Sequence, residues 1–271
     1  MSGASFGRIE IEIDGDGPPI VFLHGLGATS SSFQPLLSAL HGFRCIRADF
    51  PGTGRSARSY VPVTIDFLCE TARDIVKGIA GAPAHVVAHS MGTLVAQHLA
   101  VAASEWVATL TLFGPIGEPG DAARERLRER AALARRSGMI AIADPVAAAG
   151  LASSTKADNP AVEAFVRESH LRQDPEGFAE SCEALASARG ADLRLINCPT
   201  LIVTGEEDPI APPGAAQGLA ERIRGAKLKT LPRCGHWTQI EQPKECRRLA
   251  SEHIRAHAGG GTFAMLGPSR R

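Results

Sequence analysis

Residues 84–92 read AHVVAHSMG, and residues 93–103 continue as TLVAQHLAVAA. Residues 84–88 are short and mostly apolar apart from His85, and read as a strand. The segment 91–103 lacks Pro and reads as a helix. Ser90 therefore stands on the turn between a strand and a helix. In an open α/β sheet, ligands bind where strands end. A serine on such a turn presents its hydroxyl there. The turn is crowded, so the residues two before and two after it must be small, and here they are Ala88 and Gly92. The helix that follows aims its first N–H groups at developing negative charge. A plain helix N-cap is the bland alternative for Ser90. The spelling usual for this turn, G-x-S-x-G, occurs without a substitution at Gly3-Ala4-Ser5-Phe6-Gly7. No strand is expected before that match, so context favours residues 88–92.

Outward from this point the chain alternates strand and helix. Residues 8–13 (RIEIEI) alternate apolar and charged, which suits an edge strand of an antiparallel pair. Short apolar or β-rich runs follow at 20–23 (IVFL), 43–48 (FRCIRA) and 107–113 (VATLTLF), then at 199–204 (PTLIVT) and 227–231. Helical spacing appears at 33–40, 64–80, 213–224 and 243–257. Strands separated by helices predict a mostly parallel sheet with helices on both faces. Between residues 115 and 196 the alternation stops. That Ala- and Arg-rich stretch reads as a helical cap, broken at Gly138, Pro145, Gly150, Pro160 and Pro175. The expected division is a core of 1–114 and 197–258, a cap of 115–196 and a flexible C-terminal tail at 259–271.

Lys+Arg and Asp+Glu both total 29, so no basic excess points to nucleic acid or a membrane surface. Cys45, Cys69, Cys182, Cys198, Cys234 and Cys246 are scattered without a CxxC pair or zinc spacing, as reduced thiols of a cytoplasmic protein would be. The first residues do not read as a signal peptide, and no run is long enough to span a membrane. Monomer and homodimer both stay open.

A serine hydroxyl needs a base, and the base needs an orienting group. His236, in RCGHW after the last strand, is the candidate base. His85 and His98 read as packed or exposed, and His253 and His257 as solvent-facing residues of the last helix. Three carboxylates follow the strand PTLIVT: Glu206, Glu207 and Asp208. Asp208 precedes Pro209, which favours a fixed, extended loop. It is the preferred acid, with the two glutamates as alternatives. His24-Gly25-Leu26-Gly27 follows the strand IVFL. The Leu26 and Met91 N–H groups are candidate donors to an oxyanion. His24 is expected to brace its loop. Gly52-Thr53-Gly54 with Ala57 fits a nucleotide fingerprint, but Tyr60, Pro62 and Val63 follow instead of a helix. A dinucleotide site is rejected.

The segments HGLG (24–27), DFPGTGRS (49–56), AHSMG (88–92), GEEDPI (205–210) and GHW (235–237) together resemble the α/β-hydrolase superfamily in order and spacing. The resemblance implies that α/β fold, with a mostly parallel eight-stranded sheet and a helical cap insertion, and a serine hydrolase with the triad Ser90, Asp208, His236, no metal and no cofactor. RQDPEGF (172–178) and HWTQIEQP make the chain look most like the 3-oxoadipate enol-lactonase group. That implies a small-molecule ester or lactone as substrate, with Trp237 a candidate contact. Carbon–carbon bond hydrolases of aromatic catabolism share the triad and the Trp, but their elbow commonly begins with Asn. A triad-bearing receptor with little turnover and an acyltransferase are the other readings. The cap residues Arg124, Arg126, Arg128, Arg130, Arg135 and Arg136 read as a solvated helix face, or as the source of one arginine that grips a carboxylate.

Overall fold

The computed structural model describes residues 2–258. Eight strands form one sheet: β1 (Ser2–Phe6), β2 (Ile9–Asp14), β3 (Pro19–Leu23), β4 (Arg44–Ala48), β5 (Ala84–His89), β6 (Val107–Phe113), β7 (Thr200–Gly205) and β8 (Lys227–Leu231). Their spatial order is β1-β2-β4-β3-β5-β6-β7-β8. The pairings β1/β2 and β2/β4 are antiparallel, and all others are parallel. β3, β5 and β7 are buried along their whole length, which is why their centres are apolar even where His85, His89, Thr200 and Thr204 join them.

Ten α-helices are described: α1 (Ile65–Ile75), α2 (Met91–Ala102), α3 (Asp121–Ser137), α4 (Ile140–Gly150), α5 (Ser153–Asp158), α6 (Pro160–Leu171), α7 (Pro175–Ala186), α8 (Pro213–Arg222), α9 (Thr238–Glu241) and α10 (Pro243–Ala258). Residues 33–39 of the 33–40 segment lie in a tighter 3₁₀ stretch, Ser30–Ala39, with Leu40 as its C-cap. Leu68, Leu94 and Leu219, on α1, α2 and α8, share one apolar cluster with Val86 of the sheet. Phe33, Leu249 and Ile254 join Phe22, Val87 and Phe113 in a second cluster, built from the 3₁₀ stretch, α10 and β3, β5 and β6. Alternate side chains of a strand point to opposite faces, so Val86 and Val87 serve the two clusters separately.

Helices α3–α7 lie between β6 and β7 and form the cap. Its seam with the core contains Ala28, Ala147, Leu151, Val166, Trp237 and Ile240. At one point the two layers touch through backbone alone: a Cβ on Gly177 would lie 2.1 Å from the Gly52 carbonyl oxygen.

Four local expectations are corrected. β2 is not an edge, because β1 pairs with its outer side. A strand at Ser2–Phe6 is not expected from the sequence; Ser5 pairs with Glu10 in it, so the unsubstituted G-x-S-x-G match is not a strand-to-helix turn, in line with the preference for residues 88–92. Pairing with β2 supplies the order that residues 2–6 do not encode alone. α4 runs through Pro145; a proline forgoes one helical hydrogen bond, and the rest of the helix holds. His253 is buried rather than solvent-facing. The tail at 259–271 lies outside the described residues. Among those described, no helix is long and apolar enough to cross a membrane, and all six cysteines are free thiols.

Candidate active site

Ser90 follows β5 directly and has φ 51° and ψ −122°. It is one of two non-glycine residues with positive φ among those described. Such a backbone costs about 1–3 kcal/mol and persists only where neighbours enforce it. Here the Ser90 N–H donates to the Phe113 carbonyl at 3.0 Å, and the Ser90 carbonyl accepts the Thr93 N–H at 2.8 Å. Two glycines make the space. A Cβ on Gly92 would lie 2.1 Å from the Leu23 oxygen, and one on Gly25 would lie 2.8 Å from the Ser90 Cβ.

Ser90 Oγ is 2.8 Å from His236 Nε2. His236 Nδ1 is 2.8 Å from Asp208 Oδ2. Asp208 is buried, and its Oδ1 accepts the Ile210 and Ala211 N–H groups, each at 2.8 Å. Burial alone would raise this carboxyl; the His236 charge and these hydrogen bonds outweigh it and hold the group below the usual carboxylate range. With an ionised carboxylate at Nδ1, the imidazole carries its proton there and offers the Nε2 lone pair to the serine hydroxyl. Glu206 and Glu207 are exposed, and Glu207 Oε2 accepts the Ser153 N–H at 2.9 Å. Neither takes the place of Asp208.

A sequence profile described as the alpha/beta hydrolase family matches residues 20–249. The chain belongs to that family. 3-Oxoadipate enol-lactonase 2 of Acinetobacter baylyi is 27% identical over 246 residues, covering 90% of this chain and 89% of that protein. The crystal structure of the enol-lactonase from Burkholderia xenovorans superposes with a TM-score of 0.83 at 29% identity, over 94% of this chain and 100% of the other. A thermophilic esterase from Thermogutta terrifontis, solved with malate bound, gives a TM-score of 0.85 at 27% identity, over 94% and 96%.

In this hydrolase the HGLG loop is held from both sides. His24 is buried; its Nδ1–H donates to the Gly25 carbonyl at 2.9 Å, while Nε2 accepts the Phe50 N–H at 2.9 Å. DFPGTGRS is thus a brace: its Asp49 carboxylate also accepts the Ser30 and Arg55 N–H groups, at 2.7 and 3.0 Å. From the cap, Ser169 Oγ donates to the Gly27 carbonyl at 2.8 Å, and the His170 ring packs where a Gly27 Cβ would stand. The Leu26 and Met91 N–H groups have no hydrogen-bond acceptor among the described residues. Trp237 is buried in the seam, its ring 5.1 Å from that of His89 and 5.9 Å from that of His170.

Three polar residues at the site escape sequence reading. His89 Nε2–H donates to the His236 carbonyl at 3.0 Å. His170 and Glu241 link core and cap. Their only signal is adjacency to Ser90, to the cap motif and to GHW, which does not reveal a partner. Of the cap arginines, Arg124, Arg128 and Arg135 pair with Glu118, Glu125 and Glu176. Arg126 and Arg136 are exposed. Arg130 is partly buried and forms no ion pair among the described residues. His170 is held down to about 4, chiefly by burial and further by the Arg130 charge.

Buried imidazoles also set the acid limit of the fold. Burial is the leading cause that lowers His85, His89, His170 and His253, to about 4, 3, 4 and 4. It lowers His24 as well. Unfolding frees these rings to bind protons near their ordinary value of 6.5. The unfolded chain therefore takes up more protons as pH falls, and stability drops with it. The stability is fully present above about pH 6.5 and is lost progressively towards the folded values. Urea midpoints are expected to fall between pH 7.5 and 5, before ordinary carboxylates titrate; a flat profile over that interval would contradict this.

Proposed function

We propose that this hydrolase cleaves a small carboxylic ester or lactone through an acyl-enzyme on Ser90. The observation that carries the reading is the unbroken chain from Ser90 Oγ through His236 to Asp208. His236 Nε2 takes the hydroxyl proton as Oγ attacks the carbonyl carbon. The carbonyl π pair moves onto oxygen, and the Leu26 and Met91 N–H groups hold that oxyanion. Its collapse breaks the bond to the leaving oxygen, which receives the proton from His236. In a lactone the leaving group stays tethered. Water then gives a proton to His236 and its oxygen to the acyl carbon; the second collapse releases the acid and returns the proton to Ser90 Oγ. Asp208 orients the ring and balances the imidazolium. No step draws on a metal or organic cofactor.

The enol-lactonase relatives support a lactone, and the esterase supports a simple ester. Trp237 and His170 form the cap-side wall of the substrate space in this reading. Arg130 is the group assigned to a substrate carboxylate, because the other cap arginines are spent on ion pairs or exposed. A panel of aryl esters, saturated lactones and enol-lactones, each in neutral and carboxylate-bearing form, tests the proposal. Sustained turnover is expected; a single burst that ends in a stable acyl adduct would sink it. Arg130→Met should raise KM for a carboxylate-bearing ester by about tenfold or more and leave the neutral analogue unchanged. Equal effects on both would remove Arg130 from the assignment.

A further inference from the structure

We infer that Glu241 is a positioning residue that fixes the His236 loop and ties its placement to the cap; the inference rests on the Ser90–His236–Asp208 reading. Glu241 closes α9, one turn after His236. Its carboxylate turns back on the loop. Oε1 accepts the Gly235 and Trp237 N–H groups, both at 3.1 Å. Oε2 also faces the Gly235 N–H at 3.1 Å, and accepts the Ala152 N–H at 2.9 Å and the Thr155 hydroxyl at 2.7 Å. Two of these donors flank His236 in the chain, and two belong to the cap.

The residue between them is held by the same partners. The His236 N–H donates to the Gly150 carbonyl of the cap at 2.8 Å, and its carbonyl accepts from His89. Three consecutive amides, 235 to 237, are thus committed, two of them to one side chain. Gly235 leaves no slack: a Cβ there would lie 2.6 Å from the Gly150 oxygen, 2.7 Å from the Ala152 nitrogen and 2.9 Å from Glu241 Oε1.

The chemistry selects a glutamate. Four donors converge, and an ionised carboxylate is acceptor-only with lone pairs for all of them. Glutamine would turn an NH₂ towards N–H donors on one side. Aspartate is one methylene too short. The imidazole keeps its Asp208 hydrogen bond without Glu241, but the backbone that carries the ring loses its anchors on both sides. A shift of the ring by about 1 Å is enough to cost about 10²-fold in rate.

The test uses the full chain as wild type, Glu241→Ala, Glu241→Gln and Thr155→Val. Each is assayed for melting temperature and folded fraction. Each is then labelled with a fluorophosphonate under pseudo-first-order conditions, with the modified serine mapped by peptide mass. Per folded molecule, Glu241→Ala is expected to slow the maximal labelling rate by about 10²-fold with half-saturating probe concentration unchanged. Glu241→Gln should fall between it and wild type, and Thr155→Val should slow the same rate constant by less. A role confined to stability would lower the melting temperature and leave the per-molecule rate at the wild-type value, and that result would overturn the inference. If both Glu241 variants fail to fold, Thr155→Val decides: a slower maximal rate supports the inference and an unchanged one overturns it. Wild type left unlabelled at Ser90 would sink the hydrolase reading itself, whereas labelled wild type with unaffected variants sinks the role of Glu241 alone.

Discussion

Replacing Ser90 by alanine is expected to abolish ester hydrolysis, with turnover falling by about 10⁶-fold while the protein stays folded. The hydroxyl is the only atom lost, and its hydrogen bond to His236 Nε2 is the one contact removed with it. The backbone at φ 51° remains, because alanine carries the same Cβ as serine. Ser90→Gly separates the two roles of the position. It should lose activity equally and gain about 1 kcal/mol of stability, since glycine takes positive φ without the steric penalty. Residual turnover in Ser90→Ala above a thousandth of wild type would rule out an acyl-enzyme on this residue. A melting temperature lower in Ser90→Gly than in wild type would contradict the claim that the turn is strained.

Asp208→Asn carries the second-largest effect, about 10⁴-fold in turnover. The substitution preserves shape. The asparagine oxygen can keep the Ile210 and Ala211 N–H bonds now made by Oδ1. That leaves the amide NH₂ facing His236 Nδ1, where an acceptor stands today. Two donors cannot share that contact, so the imidazole moves its proton to Nε2 and no longer accepts from Ser90. The loss should appear in kcat, with KM little changed. Glu207→Gln is the control, because Glu207 is exposed and bonded to the Ser153 N–H. Comparable losses in the two variants would mean that the carboxylates act through bulk charge rather than through the tautomer of His236.

The order of most strands and helices was legible because burial on both faces favours apolar strand centres, as at Val21–Phe22, Val86–Val87 and Leu201–Val203 of β3, β5 and β7. β1 was not legible. Ser2–Phe6 reads SGASF, which has no alternation, and its strand state comes from pairing with β2. At the acid position, Glu206, Glu207 and Asp208 are chemically alike and adjacent. What separates them is that Asp208 turns inward onto two amides and an imidazole while the glutamates face water. The cap helices were readable as helices, but their contacts were not. Ser169 on Gly27, Gly177 on Gly52 and Ala152 on Glu241 join residues far apart in the chain.

By itself the sequence determined the elements other than β1 in outline, and the residue types at strand ends: a serine between a strand and a helix, small neighbours at 88 and 92, a histidine after the last strand. These follow from local sterics and from periodicity, which act over a few residues. The tertiary structure alone decided which carboxylate meets His236, that the Leu26 and Met91 N–H groups have no acceptor among the described residues, and that Glu241 spans core and cap. Those facts depend on distances of about 3 Å between distant segments, and a hydrogen bond is lost with a shift of less than 1 Å. Only the packed sheet and the seated cap fix positions to that tolerance.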